Sequence, residues 1–253
     1  MTVHTSETPV LETRAITKHF GALMAVNGVS LCVSHGGITS IIGPNGAGKT
    51  TFFNLLAGFL VPDKGRILYR GKEITGLAPY EISQMGVGRS FQITSIFPNL
   101  SVYENIRVAC QSRSKSRYNF FMSCEKLPGV EFASRQILSQ MGLDHWADSP
   151  AKNLPYGLQR CLDIGISLAT EPQVLLLDEP TSGMSAEDTT VILKLIAEIA
   201  KLIPVILIEH NIDMVLNISD SIAVLYQGLL LAEGTPEEIQ GNQEVQEAYL
   251  GGY

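Results

Sequence analysis

Three features of the chain predict an α/β fold built on a phosphate-loop core, with an N-terminal antiparallel β region and an inserted α-helical subdomain. The first is residues 43–50, GPNGAGKT, which fit the pattern G-x-x-x-x-G-K-[ST] at every fixed position. The second is the context of that loop: a short β-branched run, ITSII, precedes it, and an apolar helical run, FFNLLAGFL, follows it. The third is an apolar run, VLLL, that ends in Asp178-Glu179, far enough from Lys49 to leave room for a helical insertion. Residues 1–9 read as a flexible N-terminus. Residues 10–253 read as one domain, in which a core of residues 10–93 and 169–253 surrounds a helical subdomain at 94–168.

The length of 253 residues is enough to bury a full core. A net charge of −7 argues against a nucleic-acid partner, because that binding depends on counterions released by Lys and Arg. Cys32, Cys110, Cys124 and Cys161 are scattered, with no pair at metal-ligand or C-x-x-C spacing, so reduced thiols are expected. Residues 1–9 are polar and lack the apolar core of a signal peptide. No apolar run approaches the roughly 18–20 residues of a membrane span. The expectation is a soluble, cytoplasmic protein.

Taken in order, residues 11–17 and 28–33 read as strands, with Lys18, His19, Phe20 and Gly21 between them. Phe20, just before a glycine turn, reads as a core aromatic or as a flat surface for a purine. The glycines of the loop let backbone N–H groups curl around phosphates, and these groups open a helix whose partial positive charge favours an anion. Gly43, Pro44, Asn45, Gly46, Ala47, Gly48, Lys49, Thr50 and Thr51 are therefore the candidate nucleotide contacts. Lys49 would reach the β- and γ-phosphates, and the Thr50 hydroxyl would be a Mg²⁺ ligand.

Beyond the loop, residues 66–69 read as a strand, residues 78–85 as a short helix stopped by Gly86, and residues 88–92, ending in Gln92, as a run leading out of a short strand. Ser101 and Glu104 form a capping box before a helix at 102–109, and residues 132–141 form a second helix stopped by Gly142. Between them, residues 111–118 (QSRSKSRY) read as a solvated loop carrying Arg113, Lys115 and Arg117. Pro155 suits the first turn of the helix that follows it.

Asp178, at the end of its strand, can hold the Mg²⁺ shell, and Glu179 beside it can polarise an attacking water. Residues 185–202 read as an amphipathic helix: Ser185 and Asp188 cap it, Ile192, Leu195, Ile196 and Ile199 lie on one face, and Lys194 and Glu198 pair on the other. Residues 205–208 are the next buried strand, and His210 follows at the end where α/β sheets place ligand-facing groups. Residues 221–226 and 229–232 read as a hairpin turning at Gln227-Gly228. Thr235 and Glu238 form the last capping box.

As an ordered set, Phe20, GPNGAGKTT, Gln92, LPYGLQR, VLLLDEP and IEHN resemble the ATP-binding subunits of ABC transporters, and the resemblance runs over residues 10–253. It implies a RecA-like core that binds ATP and Mg²⁺. Phe20 falls where that family stacks adenine, Gln92 where its Q-loop glutamine meets Mg²⁺ and the membrane subunit, and His210 where a histidine contacts the γ-phosphate. Glu179, His210 and Lys49 would carry catalysis, while Thr50, Gln92 and Asp178 would hold the metal. Tyr156 and Gly157 lie in the segment that closes on ATP bound to a second chain.

The implied partners are a second ATPase subunit, identical or paralogous, two transmembrane permease subunits and, indirectly, a substrate-binding protein. The implied location is the cytoplasmic face of the cell membrane. GVGRSFQ with IFPNLSVYENI, LPYG, AEGTPEEI and the terminal AYLGG look like the G-type subunit of importers for branched-chain and other hydrophobic amino acids. Urea importers of the same group and lipopolysaccharide-export ATPases share several of these features. A soluble ABC ATPase of translation or DNA repair would carry two fused nucleotide domains or long coiled-coil insertions, and neither is present.

Two positions depart from the family pattern. Pro155 stands where the family has the serine of LSGGQ, and the lost hydrogen bond to a charged phosphate is worth roughly 1.5–3 kcal/mol. Ser185 stands where many relatives carry an aspartate after the acidic pair.

Overall fold

A computed structural model of the chain describes residues 8–90, 96–113 and 129–250. Its first elements are β1 (Leu11–Phe20), β2 (Leu23–Val33), β3 (Ile38–Ile42), α1 (Lys49–Leu56), β4 (Lys64–Tyr69), β5 (Lys72–Glu73) and α2 (Pro79–Met85). Then come β6 (Val87–Arg89), α3 (Val102–Arg113), α4 (Val130–Gln140), α5 (Tyr156–Ala169), β7 (Val174–Asp178) and α6 (Ala186–Ala200). The last are β8 (Val205–Ile208), α7 (Ile212–Ile218), β9 (Ser221–Tyr226), β10 (Leu229–Gly234), α8 (Pro236–Gln240) and α9 (Gln243–Leu250). The chain divides into two compact units, Met1–Met85 with Ala197–Tyr253, and Gly86–Ile196.

The first unit contains an antiparallel sheet of order β2-β1-β4-β5 and a parallel arrangement centred on β3. β3 runs parallel to β8, with Ile41 opposite Ile208, and parallel to β9, with Ile42 opposite Val224. Every residue of β3 and β8 is buried, as expected of strands covered on both faces. β9 and β10 form the expected hairpin through Gln227 and Gly228. The β1–β2 pairing runs further than the sequence suggests. Lys18, His19 and Phe20 are paired residues rather than a connection, because Gly21 and Ala22 alone make the turn between Phe20 and Leu23.

In the second unit β6 and β7 pair in parallel, Arg89 opposite Leu176, while α3, α4 and α5 pack on one another. The Ser101 capping box is present: the Ser101 hydroxyl accepts from the Glu104 amide, and the Glu104 carboxylate accepts from the Ser101 amide. α3 extends to Arg113, so Gln111 to Arg113 are helical rather than loop. Buried Asn105 ties the preceding chain down, accepting from the Phe97 amide and donating to the carbonyls of Phe97 and Ser101.

On α6, Ile192, Ile196 and Ile199 are buried as the spacing predicts. Glu198, however, pairs with Lys201 at 2.6 Å rather than with Lys194. Lys115, Arg117, Cys124 and Gln92 lie outside the described residues. Among the described residues the cysteines Cys32, Cys110 and Cys161 are free thiols, and no helix is long and apolar enough to cross a membrane.

Candidate functional site

In the first unit, β3 delivers the chain to the phosphate loop. Gly43 has φ +153°, and a Cβ there would lie 2.1 Å from the Leu225 carbonyl oxygen, so only glycine lets the loop leave the strand at this angle. Gly48, left-handed at φ 99°, precedes α1 and offers no side chain to cap it. The amides of the first turn therefore keep no side-chain acceptor of their own, which is what an anion-binding helix start needs.

Lys49 opens α1 and is only 8% exposed. Its ammonium folds back over the loop and donates to the carbonyls of Gly43 at 2.6 Å and Pro44 at 3.1 Å. Thr50 is exposed and Thr51 half-buried at the same helix start.

β8 carries His210 to the same loop. A pocket of about 630 Å³ is lined by Gly43, Pro44, Asn45, Gly46 and Ala47 together with His210, Tyr226, Gln227, Ala248 and Tyr249. The His210 side chain is 58% exposed, and the carboxylate of fully buried Glu209 lies 3.7 Å from its Nδ1. The same carboxylate accepts from the His210 backbone amide at 3.3 Å. Asn211 then caps α7 by accepting from the Met214 amide, so the turn that aims His210 is fixed on both sides.

Phe20 ends β1 with its ring 47% exposed. Lys18 anchors this strand end through the Val61 carbonyl and the Asp63 carboxylate, at 2.8 and 2.9 Å. The Lys18 hydrogen bond, with that of the His19 amide, holds the Asp63 carboxyl down to about 2. The outcome is a flat aromatic face held open to solvent.

In the second unit, β7 brings Asp178 to its carboxyl end, where it is almost fully buried. Burial pushes its carboxyl above the usual carboxylate range. The Arg89 guanidinium, with Nη2 3.3 Å from Oδ2, opposes that shift, and the neighbouring Glu179 charge adds to it. Burial likewise lowers Arg89 from its ordinary value.

Glu179 adopts φ +44°, a left-handed conformation that costs a non-glycine residue about 1–3 kcal/mol. Arg160 of α5, 1% exposed, supports this turn. It donates to the carbonyls of Asp178 at 3.2 Å, Glu179 at 2.9 Å and Pro180 at 3.0 Å, and its Nη1 lies 3.6 Å from Asp163.

The segment opened by Pro155 is tied to the same turn. Pro155 is the cap residue of α5 rather than its first helical residue, and it makes no side-chain cap bond. Tyr156 is 45% exposed, and its hydroxyl donates to the Ser182 carbonyl at 3.1 Å. A Cβ on Gly157 would come within 2.7 Å of the Asp188 carboxylate. Asp188 in turn bonds Ser185 through both its carboxylate and its amide.

Among the described residues no group of three or more His, Cys, Asp or Glu side chains gathers into a metal cage. Mg²⁺ does not need one, since it takes one or two protein oxygens and draws the rest from phosphates and water. Thr50 and Asp178 each carry an oxygen of that kind. Sequence reading passed over Arg89, Arg160 and Glu209 as functional groups. Arg160 stands in the quoted LPYGLQR run, but nothing local signals that its guanidinium reaches three carbonyls of a distant turn.

The family described as "ABC transporter" matches residues 26–182, and one described as "Branched-chain amino acid ATP-binding cassette transporter" matches residues 230–253. The high-affinity branched-chain amino acid transport ATP-binding protein BraF of Pseudomonas aeruginosa is 42% identical over 252 residues, covering 96% of this chain and 98% of the relative. LivG of Escherichia coli K12, described in the same words, is 41% identical with the same coverage.

A nucleotide-free ATP-binding cassette from an ABC transporter superposes with a TM-score of 0.84 at 32% identity, covering 95% of this chain and 98% of its own. The ADP conformation of the cassette MJ1267 gives 0.82 at 34% identity, covering 96% and 99%. The chain belongs to the ABC transporter family and is one of its ATP-binding, ATP-hydrolysing cassettes.

Proposed function

We propose that this chain is the ATPase subunit of an importer that moves branched-chain or other hydrophobic amino acids through separate membrane subunits. One observation carries the reading: identity of 41–42% with branched-chain amino acid transport ATP-binding proteins spans 96% of the chain. The likeness of residues 230–253 to the branched-chain family supports it.

Lys49 and the amides of residues 43–51 bind the triphosphate, and Phe20 stacks on the base. Glu179, held in its turn by Arg160, takes the proton of the attacking water; such base assistance supplies ~10²–10⁴ in rate. His210, oriented by Glu209, faces the terminal phosphate. Thr50, Asp178 and Gln92 would hold Mg²⁺, which when bound would neutralise charge on the phosphates.

Each ATP is closed by residues 154–159 of a second chain, identical or paralogous. Pro155 offers no hydroxyl there, so the first-turn amides of α5, including that of Gly157, make the contact. That is a helix-start site rather than a serine site. The assembly includes two permeases at the cytoplasmic face of the membrane, served by a binding protein, and the region at 94–168 transmits the motion to them.

The test is reconstitution of the chain with its permeases and binding protein in proteoliposomes. ATP-dependent uptake of leucine, isoleucine or valine is expected. Uptake of urea alone, or no binding to any permease, would overturn the reading.

A further inference from the structure

β1 runs past one of its two partners. β4 begins at Lys64, opposite Thr17, so Lys18, His19 and Phe20 extend beyond it while β2 still pairs them on the other edge. A strand end served on one edge only is a place where a sheet frays. Here Asp63, the residue before β4, serves the second edge. Its amide donates to the Thr17 carbonyl at 2.8 Å, and one carboxylate oxygen accepts from the His19 amide at 2.7 Å. The other oxygen accepts from the Lys18 ammonium at 2.9 Å. One side chain thereby continues the sheet beneath the last residues of β1.

Both bonds bear on Phe20. The bonded amide lies one residue before it, and the Lys18 ammonium sits 6.0 Å from the centre of its ring, at the edge of cation–π range. With Asp63 40% exposed, the ion pair to Lys18 contributes little by itself. The bond from the His19 amide is different, because a carboxylate accepting a backbone N–H is charge-assisted and fixes the direction of the chain. Asp63 also sits in the connection that leaves α1, the helix opened by Lys49. The segment that starts at the phosphate loop therefore ends by holding the aromatic.

We propose that Asp63 is a positioning residue for the base of the nucleotide: its carboxylate fixes the end of β1, so that the Phe20 ring is in place before the ligand arrives. The proposal rests on the reading of Phe20 as the base-stacking residue. Order established in the free protein is order that binding need not supply. Asp63 therefore acts on the nucleoside half of the ligand and not on its phosphates.

The test is calorimetric titration with ADP and with pyrophosphate, which carries the same phosphates without the nucleoside. Asp63→Ala should weaken ADP roughly three- to tenfold, the range of one aromatic stacking contact, and leave pyrophosphate unchanged. Lys49→Ala should weaken both. Phe20→Ala sets the ceiling, since it removes the ring that Asp63 positions. Adding Asp63→Ala to Phe20→Ala should therefore weaken ADP no further. Asp63→Asn, which keeps the shape and one acceptor oxygen, runs the same cycle if the Ala variant does not fold.

Equal losses of ADP and pyrophosphate in Asp63→Ala would make Asp63 a residue of general stability and overturn the proposal. A further loss of ADP on adding it to Phe20→Ala would do the same. If Phe20→Ala binds ADP as the wild type does, the base-stacking reading fails and the proposal with it. If Phe20→Ala is weak while Asp63→Ala binds normally, only the role of Asp63 is refuted.

Discussion

Arg160 carries more of the site than its place in a helix suggests. Its planar guanidinium spans three consecutive carbonyls and pairs with Asp163, in a volume that excludes water. Arg160→Lys offers a point charge that cannot span them. The turn holding Glu179 at positive φ should relax, turnover should fall about 10–100-fold, and nucleotide affinity should change little; steady-state ATPase and ADP titration check both. Glu179→Gln should bind ATP, lose ~10²–10⁴ in turnover and accumulate a closed dimer, and a variant with near wild-type turnover would remove Glu179 from the base role.

Arg89→Met leaves Asp178 buried without its cation, a loss of about 3–5 kcal/mol. The sign follows from the raised Asp178 carboxyl. A carboxyl whose folded pKa lies above its unfolded value of roughly 3.9 favours the folded state when protonated, and that gain disappears as pH rises through the folded value. The variant raises it further, so its melting deficit against wild type should be small near pH 4 and large near pH 8. Lys49, Asp178 and Glu179 could be named as candidates from the sequence because each sits in a contiguous motif. Arg89 and Arg160 could not, because their partners lie on other elements.

Among the elements, local signals were read well and tertiary ones poorly. The Ser101 and Thr235 capping boxes are visible four residues at a time, and both are present with reciprocal bonds. Thr235→Ala should cost about 1 kcal/mol, measurable as a lower urea midpoint with an unchanged slope. The ends of β1 and α3 were read too short, because pairing with β2 and packing on α4 and α5 extend them beyond what propensity indicates. α7 and α9 were not foreseen. Each is one or two turns long, and α9 is held by a cluster gathered from β3, α7, β9 and α8. Glu198 chose Lys201 over Lys194, both within reach on a helix, and the periodicity carries no information about which rotamer wins.

At the scale of the molecule, the α/β class followed from one loop in its strand–loop–helix context. The bounds of the two compact units are set by packing between distant segments. The proposed need for a second chain has a kinetic signature. ATPase activity per chain should climb with protein concentration in the isolated protein; a rate per chain that stays flat on dilution would show that one chain suffices. The net charge of −7 agrees with a partner set that contains no nucleic acid, and retention on a nucleic-acid column at physiological salt would contradict it.

The fold-back of Lys49 has a consequence for which anions this loop notices. An ammonium already seated on two carbonyls, at 2.6 and 3.1 Å, is a cation with its counter-dipoles in place. A single orthophosphate would have to displace it for the sake of one anchor. A nucleotide brings several linked phosphates, so one displacement is repaid along the whole loop. With the loop as the proposed nucleotide site, the resting chain should be deaf to the free phosphate of its surroundings, and the phosphate it releases should have little tendency to come back.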